Sequence, residues 1–282
     1  MINLSTSPKW HQPGFYGPVT ATLDWCEANY QFSYYIAEVA NSFSNLFTIA
    51  LAICGVVAAA SQSLPTRYVA GYMGIALVGF GSFAFHATLL FEAQLADELP
   101  MIYVGSMSLW FLFDDRPGYG VKSSRSKALI AMLVVFNILF TWSYIAYRNP
   151  VYHQIVFASI VFTTVARVTY LLKWSDRTSD IPDKVISTIG KLFSSGAAMF
   201  ALGFLIWNLD NIFCDTLTSW KVAVGWPRAF LLEGNNMVQG AGTYYMFSGI
   251  QCNNLCCKDH YRNYKLGYWL GLPHVFRVEK RA

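Results

Sequence analysis

Charge is what this sequence has least of. Asp, Glu, Lys and Arg make up 13% of its 282 residues, against roughly 25% in an ordinary soluble domain. So few ionised groups cannot clothe a globular surface in water. The net charge of +4 is too small and too dispersed to suggest a nucleic-acid partner. Residues 1–35 lack a basic start followed by an apolar core, so no cleavable signal peptide is expected there. Internal repeats and low-complexity segments are missing too. What is present is apolar: 55% hydrophobic residues, 17% aromatic residues, and a mean hydropathy of +0.36. That aromatic content argues against disorder. The composition is that of an integral membrane protein.

A membrane span needs roughly 20 mostly apolar residues, because the hydrocarbon core is about 30 Å thick. Segments 39–60, 68–91, 128–147, 151–172 and 192–208 meet that need with at most one charge each. Segment 99–113 is short unless Asp97 and Glu98 are included, and 226–250 carries Arg228, Glu233, Asn235, Asn236 and Gln239. The expected fold class is therefore an all-α membrane protein, a seven-transmembrane helical bundle. Its parts are an N-terminal arm over 1–38, the bundle over 39–250 and a basic, aromatic-rich tail over 251–282. With the N-terminus outside, 16 Lys and Arg residues fall on the cytosolic side and 4 (Lys9, Arg148, Lys221 and Arg228) on the other. The positive-inside rule thus predicts a lumenal N-terminus and a cytosolic C-terminus.

Ionisable groups at membrane depth are costly, and each is a functional candidate. Ser82 and His86 stand four apart on one helical face, and the turn 92–98 is expected to bring Asp97 and Glu98 to the start of the next span. A lone membrane histidine is also a common interhelical hydrogen-bonding residue. Asp24, Glu27, Asn29 and Glu38 form a cluster of hard oxygen donors suited to calcium. Their spacing does not match an EF-hand loop, and on the residues alone a solvated acidic arm or a helix cap is the better reading. Trp207-Asn208-Leu209-Asp210-Asn211 closes the sixth span with a dense polar group. Cys26 and Cys214 both fall on the lumenal side, where a disulfide or two free thiols are open alternatives. Cys252, Cys256 and Cys257 lie where the last span meets the cytosol, as unmodified thiols or palmitoylation sites.

Several longer motifs narrow these readings. Gly17-Pro18-Val19-Thr20-Ala21-Thr22-Leu23-Asp24-Trp25-Cys26-Glu27 resembles the N-terminal signature of the alkaline ceramidase family. Tyr35-Ile36-Ala37-Glu38, Asn41 to Asn45, Gly81-Ser82 through His86, Leu95 to Met101, and Leu202 through Cys214 resemble it too, in the right order from about residue 14 to 250. The resemblance implies an enzyme of the endoplasmic reticulum or Golgi membrane that hydrolyses the amide of ceramide to a sphingoid base and a fatty acid. Phytoceramide and dihydroceramide belong to the implied substrate class, and no protein partner is identifiable. It further implies a catalytic zinc bound by His86, an oxyanion-stabilising Ser82 and a proton-shuttling Asp97. Calcium would be bound by Asp24, the Trp25 carbonyl, Glu27, Asn29 and Glu38, and Cys26 would be bridged to Cys214.

One departure stands out. The family supplies two further zinc ligands as a His-x-x-x-His pair on the seventh helix, just before a Gly-x-Gly-x-aromatic stretch. Here Gly240-Ala241-Gly242-Thr243-Tyr244 is intact, but 231–239 holds no histidine and is about three residues short of the fungal family pattern. Glu233 and Asn236 are the alternative oxygen donors there. His11, His153, His260 and His274 lie elsewhere in the chain. A non-catalytic relative that binds ceramide is therefore the competing expectation.

Overall fold

The computed structural model describes residues 14–114, 116–118, 121, 123–225, 235–259, 261–269 and 271–278. Among the described residues, eight α-helices follow one another: α1 (Val39–Ser61), α2 (Thr66–Thr88), α3 (Phe91–Phe113), α4 (Ser124–Tyr147), α5 (Pro150–Lys173), α6 (Asp183–Ile212), α7 (Cys214–Val224) and α8 (Asn235–Lys258). All but α7 have 23 residues or more. At about 1.5 Å per residue, each of these matches or exceeds the hydrocarbon thickness.

Five of them, α1, α2, α4, α5 and α6, are long and apolar enough to cross a membrane. The other two are more polar. α3 holds Glu92, Asp97 and Glu98, and α8 holds Gln239, Gln251, Asn253 and Asn254. Apolar side chains on α4, among them Met132, Ile138 and Trp142, point outward, as they do where the solvent is lipid.

Helix ends follow local chemistry. Pro150 opens α5, and the Asn149 side chain accepts from the backbone of Val151 at 3.0 Å. That pairing of a capping Asn with proline in the first turn makes the two-residue connection from α4 possible. α3 begins at Phe91, so 92–98 is helical. The expected turn there is confined to Leu89 and Leu90. α8 is held between two neighbours by the Gly-x-Gly pair, whose members lie on opposite faces of a helix. A Cβ on Gly240 would fall 1.9 Å from Thr48 of α1, and one on Gly242 would fall 2.5 Å from the Phe200 backbone of α6.

The segment after α8 is not plain extended tail. It forms an antiparallel hairpin, β1 (Tyr264–Trp269) with β2 (Leu272–Arg277). The hairpin packs back on the bundle. Tyr244 donates to the Pro273 carbonyl at 3.2 Å, and the Arg277 amide donates to Gln62 at 3.1 Å.

Candidate functional site

The site starts where α2 crosses α3. Pro100 has no N–H, so the Ala96 carbonyl one turn earlier receives no helical hydrogen bond from it. Gly81 backs onto this carbonyl, and a Cβ there would fall 1.9 Å from the Ala96 oxygen and 2.8 Å from the Asp97 nitrogen. That contact holds the next residue, Ser82, against α3, with its hydroxyl close to the Asp97 carboxylate. His86 stands one turn further along the same face, 1% exposed. Asp97 and Glu27 both lie within electrostatic reach of its ring. The hydroxyl, imidazole and carboxylate named from the sequence are brought together.

The arm closes this end of the bundle. Leu89, in the left-handed conformation with φ 52°, ends α2, and its carbonyl accepts from the amides of Thr20 and Ala21 at 3.2 and 3.1 Å. The Thr20 hydroxyl accepts from the Phe91 amide at the start of α3. Thr22 exchanges hydrogen bonds with Gln94. The amides of Ala37 and Glu38 donate to Ala87 and His86 carbonyls at 2.9 Å. Trp25 lays its ring edge-on to His86 at 4.9 Å and tilted against Trp207 at 5.6 Å, which ties the arm to the end of α6. The Cys26–Cys214 disulfide, with Cα atoms 5.4 Å apart, joins the arm to the start of α7. Lys221 of α7 pairs with Asp210 of α6 at 3.5 Å.

Two carboxylates of the expected calcium set have structural partners. Glu27 accepts from the amides of Ala40 at 2.7 Å and Asn41 at 2.9 Å. These are the second and third helical N–H groups of α1, the donors that a capping side chain normally satisfies. Glu38, fully buried, holds Nδ1 of His86 through Oε2. That pair was not foreseen, and the position of Glu38 directly before the first apolar run was its one visible signal. A carboxylate on Nδ1 fixes the ring and leaves Nε2 for chemistry. Asp24 accepts from Asn29 at 3.3 Å.

A second buried group was also missed. Tyr144 of α4 donates to Glu98 of α3, Gln94 donates to the same carboxylate at 3.2 Å, and His153 of α5 lies 3.0 Å from the Glu98 carbonyl. The i, i+4 spacing of Gln94 and Glu98 was its only trace in the sequence. His153 is thus engaged in packing three helices, and His274 lies 3.1 Å from Tyr244. Neither joins His86. Cys252 and Cys256 are buried in α8, while Cys257 is partly exposed.

Neither implied metal has its donors gathered. Calcium takes hard oxygen ligands, and Asp24, Glu27, Asn29, Glu38 and the Trp25 carbonyl are donors of that kind, but both Glu27 oxygens and one Glu38 oxygen already serve the Ala40 and Asn41 amides and His86. Catalytic zinc normally takes three protein ligands. Among the described residues, no three His, Cys, Asp or Glu side chains are arranged to hold a metal ion, and His86 is the single imidazole at the site. Glu233 lies outside the described residues, as does the side chain of Asn236. The described donor set does not fit a three-ligand zinc.

Fold and site together define a polytopic helical membrane protein with a polar centre under a disulfide-bonded cap. The chain matches the ceramidase family over residues 17–276. It is 37% identical over 218 residues to alkaline ceramidase 3 of Mus musculus, covering 77% of each chain. Identity to alkaline ceramidase YPC1 of Saccharomyces cerevisiae is 30% over 260 residues, covering 86% of this chain and 80% of the relative. With an alkaline ceramidase of Arabidopsis thaliana it is 27% over 268 residues, covering 94% and 96%. The chain belongs to the ceramidase family.

Proposed function

We propose that this protein hydrolyses the amide of ceramide-type lipids, including phytoceramide or dihydroceramide, within the membrane of the endoplasmic reticulum or Golgi. The observation that carries the reading is the Ser82–Asp97–His86 group at the α2–α3 crossing, set in a chain of the ceramidase family. The substrate is itself a bilayer component, so a site between helices meets it without extraction. In this reading all seven long helices span the bilayer, with the arm lumenal and the hairpin cytosolic, as the 16-to-4 charge bias requires.

Each residue has a task. Asp97 takes a proton from the attacking water and returns one to the leaving amine, so that the C–N bond breaks to an acid and an amine. Ser82, beside Asp97, would turn its single O–H to the amide oxygen as negative charge develops there. Glu38 holds His86 in one orientation. Were calcium to bind the arm, Asp24, Glu27, Asn29, Glu38 and the Trp25 carbonyl are the donors that would hold it, with Glu27 giving up the Ala40 and Asn41 amides to do so. No step is assigned to zinc, for which His86 is the one described ligand.

That incomplete ligand set favours a second reading, a relative that binds ceramide without cleaving it. Fatty-acid release from ceramide by the purified protein at alkaline pH separates the two, with metal content measured on the same preparation. The hydrolase reading expects release that falls about 10²–10⁴-fold in Asp97→Asn and is lost in His86→Ala. No release by the folded protein, with ceramide binding retained, would establish the second reading.

A further inference from the structure

Two acids of the arm are turned inward, Glu27 and Glu38, buried on α1 and His86, while Asp24 is partly exposed. Tyr30 is buried and Trp25 packs on His86, but Phe15, Tyr34 and Tyr35 are turned outward at 58%, 57% and 61% exposure. They form one cluster, not scattered positions. Phe15 lies 5.2 Å from Tyr16 and 5.3 Å from Tyr35, and Tyr34 lies 5.3 Å from Tyr35. The Phe15 amide donates to the Tyr34 carbonyl at 2.9 Å, which binds the two halves of the arm together. Gly14 makes room for this by lying where a Cβ would enter the Tyr30 ring, and Gly17 turns the chain at φ +80°. Both segments that bear the rings, 14–23 and 28–37, contain no charged residue.

The level of the cluster follows from the backbone. Ala37 and Glu38 are bonded to the last turn of α2, so the arm sits at the ends of α1 and α2. Tyr35 precedes the first residue of α1 by four positions, at most about 14 Å of chain. Immediately beyond, α1 presents Phe43, Leu46 and Phe47 outward, and Phe43 packs on Phe83 of α2. The aromatic cluster therefore continues the lipid-facing belt just past its end, where the polar headgroup layer is about 5–7 Å deep. Tyrosine suits that layer, since its ring is apolar and its hydroxyl keeps water.

We propose that the Phe15–Tyr16–Tyr34–Tyr35 cluster is a membrane-interface anchor, seated in the headgroup layer of the leaflet on the arm's side. The occupant of this surface is lipid, because the ring-bearing segments carry no charge and the cluster adjoins the outward-facing Phe43, Leu46 and Phe47 of α1. The anchor holds the cap that covers Ser82, His86 and Asp97 against the bilayer from which a lipid would enter. Its seating does not depend on whether the site is catalytic.

The test uses the full chain in phosphatidylcholine nanodiscs. Hydroxyl-radical footprinting with mass spectrometry reads how much water reaches each ring. The expected result is loss of oxidation at Phe15 and Tyr35 relative to the detergent-solubilised protein, towards the level of lipid-facing Phe43. In parallel, a photoreactive benzoylphenylalanine replaces Tyr35, with the same replacement of Phe43 as the lipid-facing control. The expected product at both positions is a lipid adduct. Oxidation at Phe15 and Tyr35 as high as in detergent would overturn the proposal. So would a protein–protein adduct at position 35, which would identify a second copy, or no adduct at all beside a working Phe43 control.

Discussion

At the residue scale, one carboxylate shows why a donor list is not yet a binding site. Glu27 belongs to the oxygen-rich cluster legible in the arm, yet its two oxygens take the Ala40 and Asn41 amides at the start of α1. It acts as an N-cap from twelve residues before the helix, and its negative charge complements the positive end of the helix dipole. Glu27→Gln keeps one acceptor and removes the charge. Its melting temperature in detergent should fall, by an amount corresponding to roughly 1–2 kcal/mol. An unchanged melting temperature would show that α1 needs no capping from the arm. The residues alone favoured a solvated arm or a helix cap, and the family resemblance put calcium on Glu27; which helix it caps could not be read, because that depends on where a distant helix begins.

At the element scale, the α2–α3 crossing depends on Gly81 and Pro100 acting across the interface. Proline releases the Ala96 carbonyl, and glycine allows another backbone to rest against it. Gly81→Ala would put a methyl carbon inside the Ala96 oxygen and force the helices apart. We expect destabilisation of about 1–3 kcal/mol, together with loss of ceramide hydrolysis, since Ser82 would leave Asp97. Full activity in that variant would separate the crossing from the chemistry. A second interface is set by Arg67 of α2, which donates to Asp114 at 2.9 Å and to the Arg116 carbonyl, while its guanidinium lies over Tyr68, Trp110 and Phe111. Both side chains of the ion pair are almost fully buried. Arg67→Met would leave Asp114 charged without that partner, so chemical denaturation should show a loss on the order of 3–5 kcal/mol. Charge counts marked Arg67 only as one of the cytosolic positives. Its partner could not be read, because Asp114 lies 47 residues away and the pairing follows from how two helices end side by side.

At the scale of the whole molecule, the cap is joined to the bundle by the Cys26–Cys214 bridge, which spans 188 residues of sequence. Closing so long a loop restricts the unfolded chain strongly, by several kcal/mol in the chain-entropy picture. Cys26→Ser/Cys214→Ser should therefore melt several degrees lower than the parent protein, while α4 and α5, remote from the bridge, keep their helicity by circular dichroism. Equal melting temperatures would mean that the arm's hydrogen bonds to Leu89, Gln94 and His86 hold the cap without covalent help. The sequence by itself determined membrane residence, the helical class, the family and the approximate position of every long helix. Hydropathy and motif order are properties of neighbouring residues, and tertiary packing does not change them. Only the tertiary structure decided that Glu38 holds His86, that Glu27 caps α1, that the segment after α8 turns back as a hairpin, and that Phe15, Tyr34 and Tyr35 gather on the outside of the arm. These are choices of partner between segments far apart in the chain. Each is settled by which buried polar groups lie close enough to satisfy one another once the helices have packed.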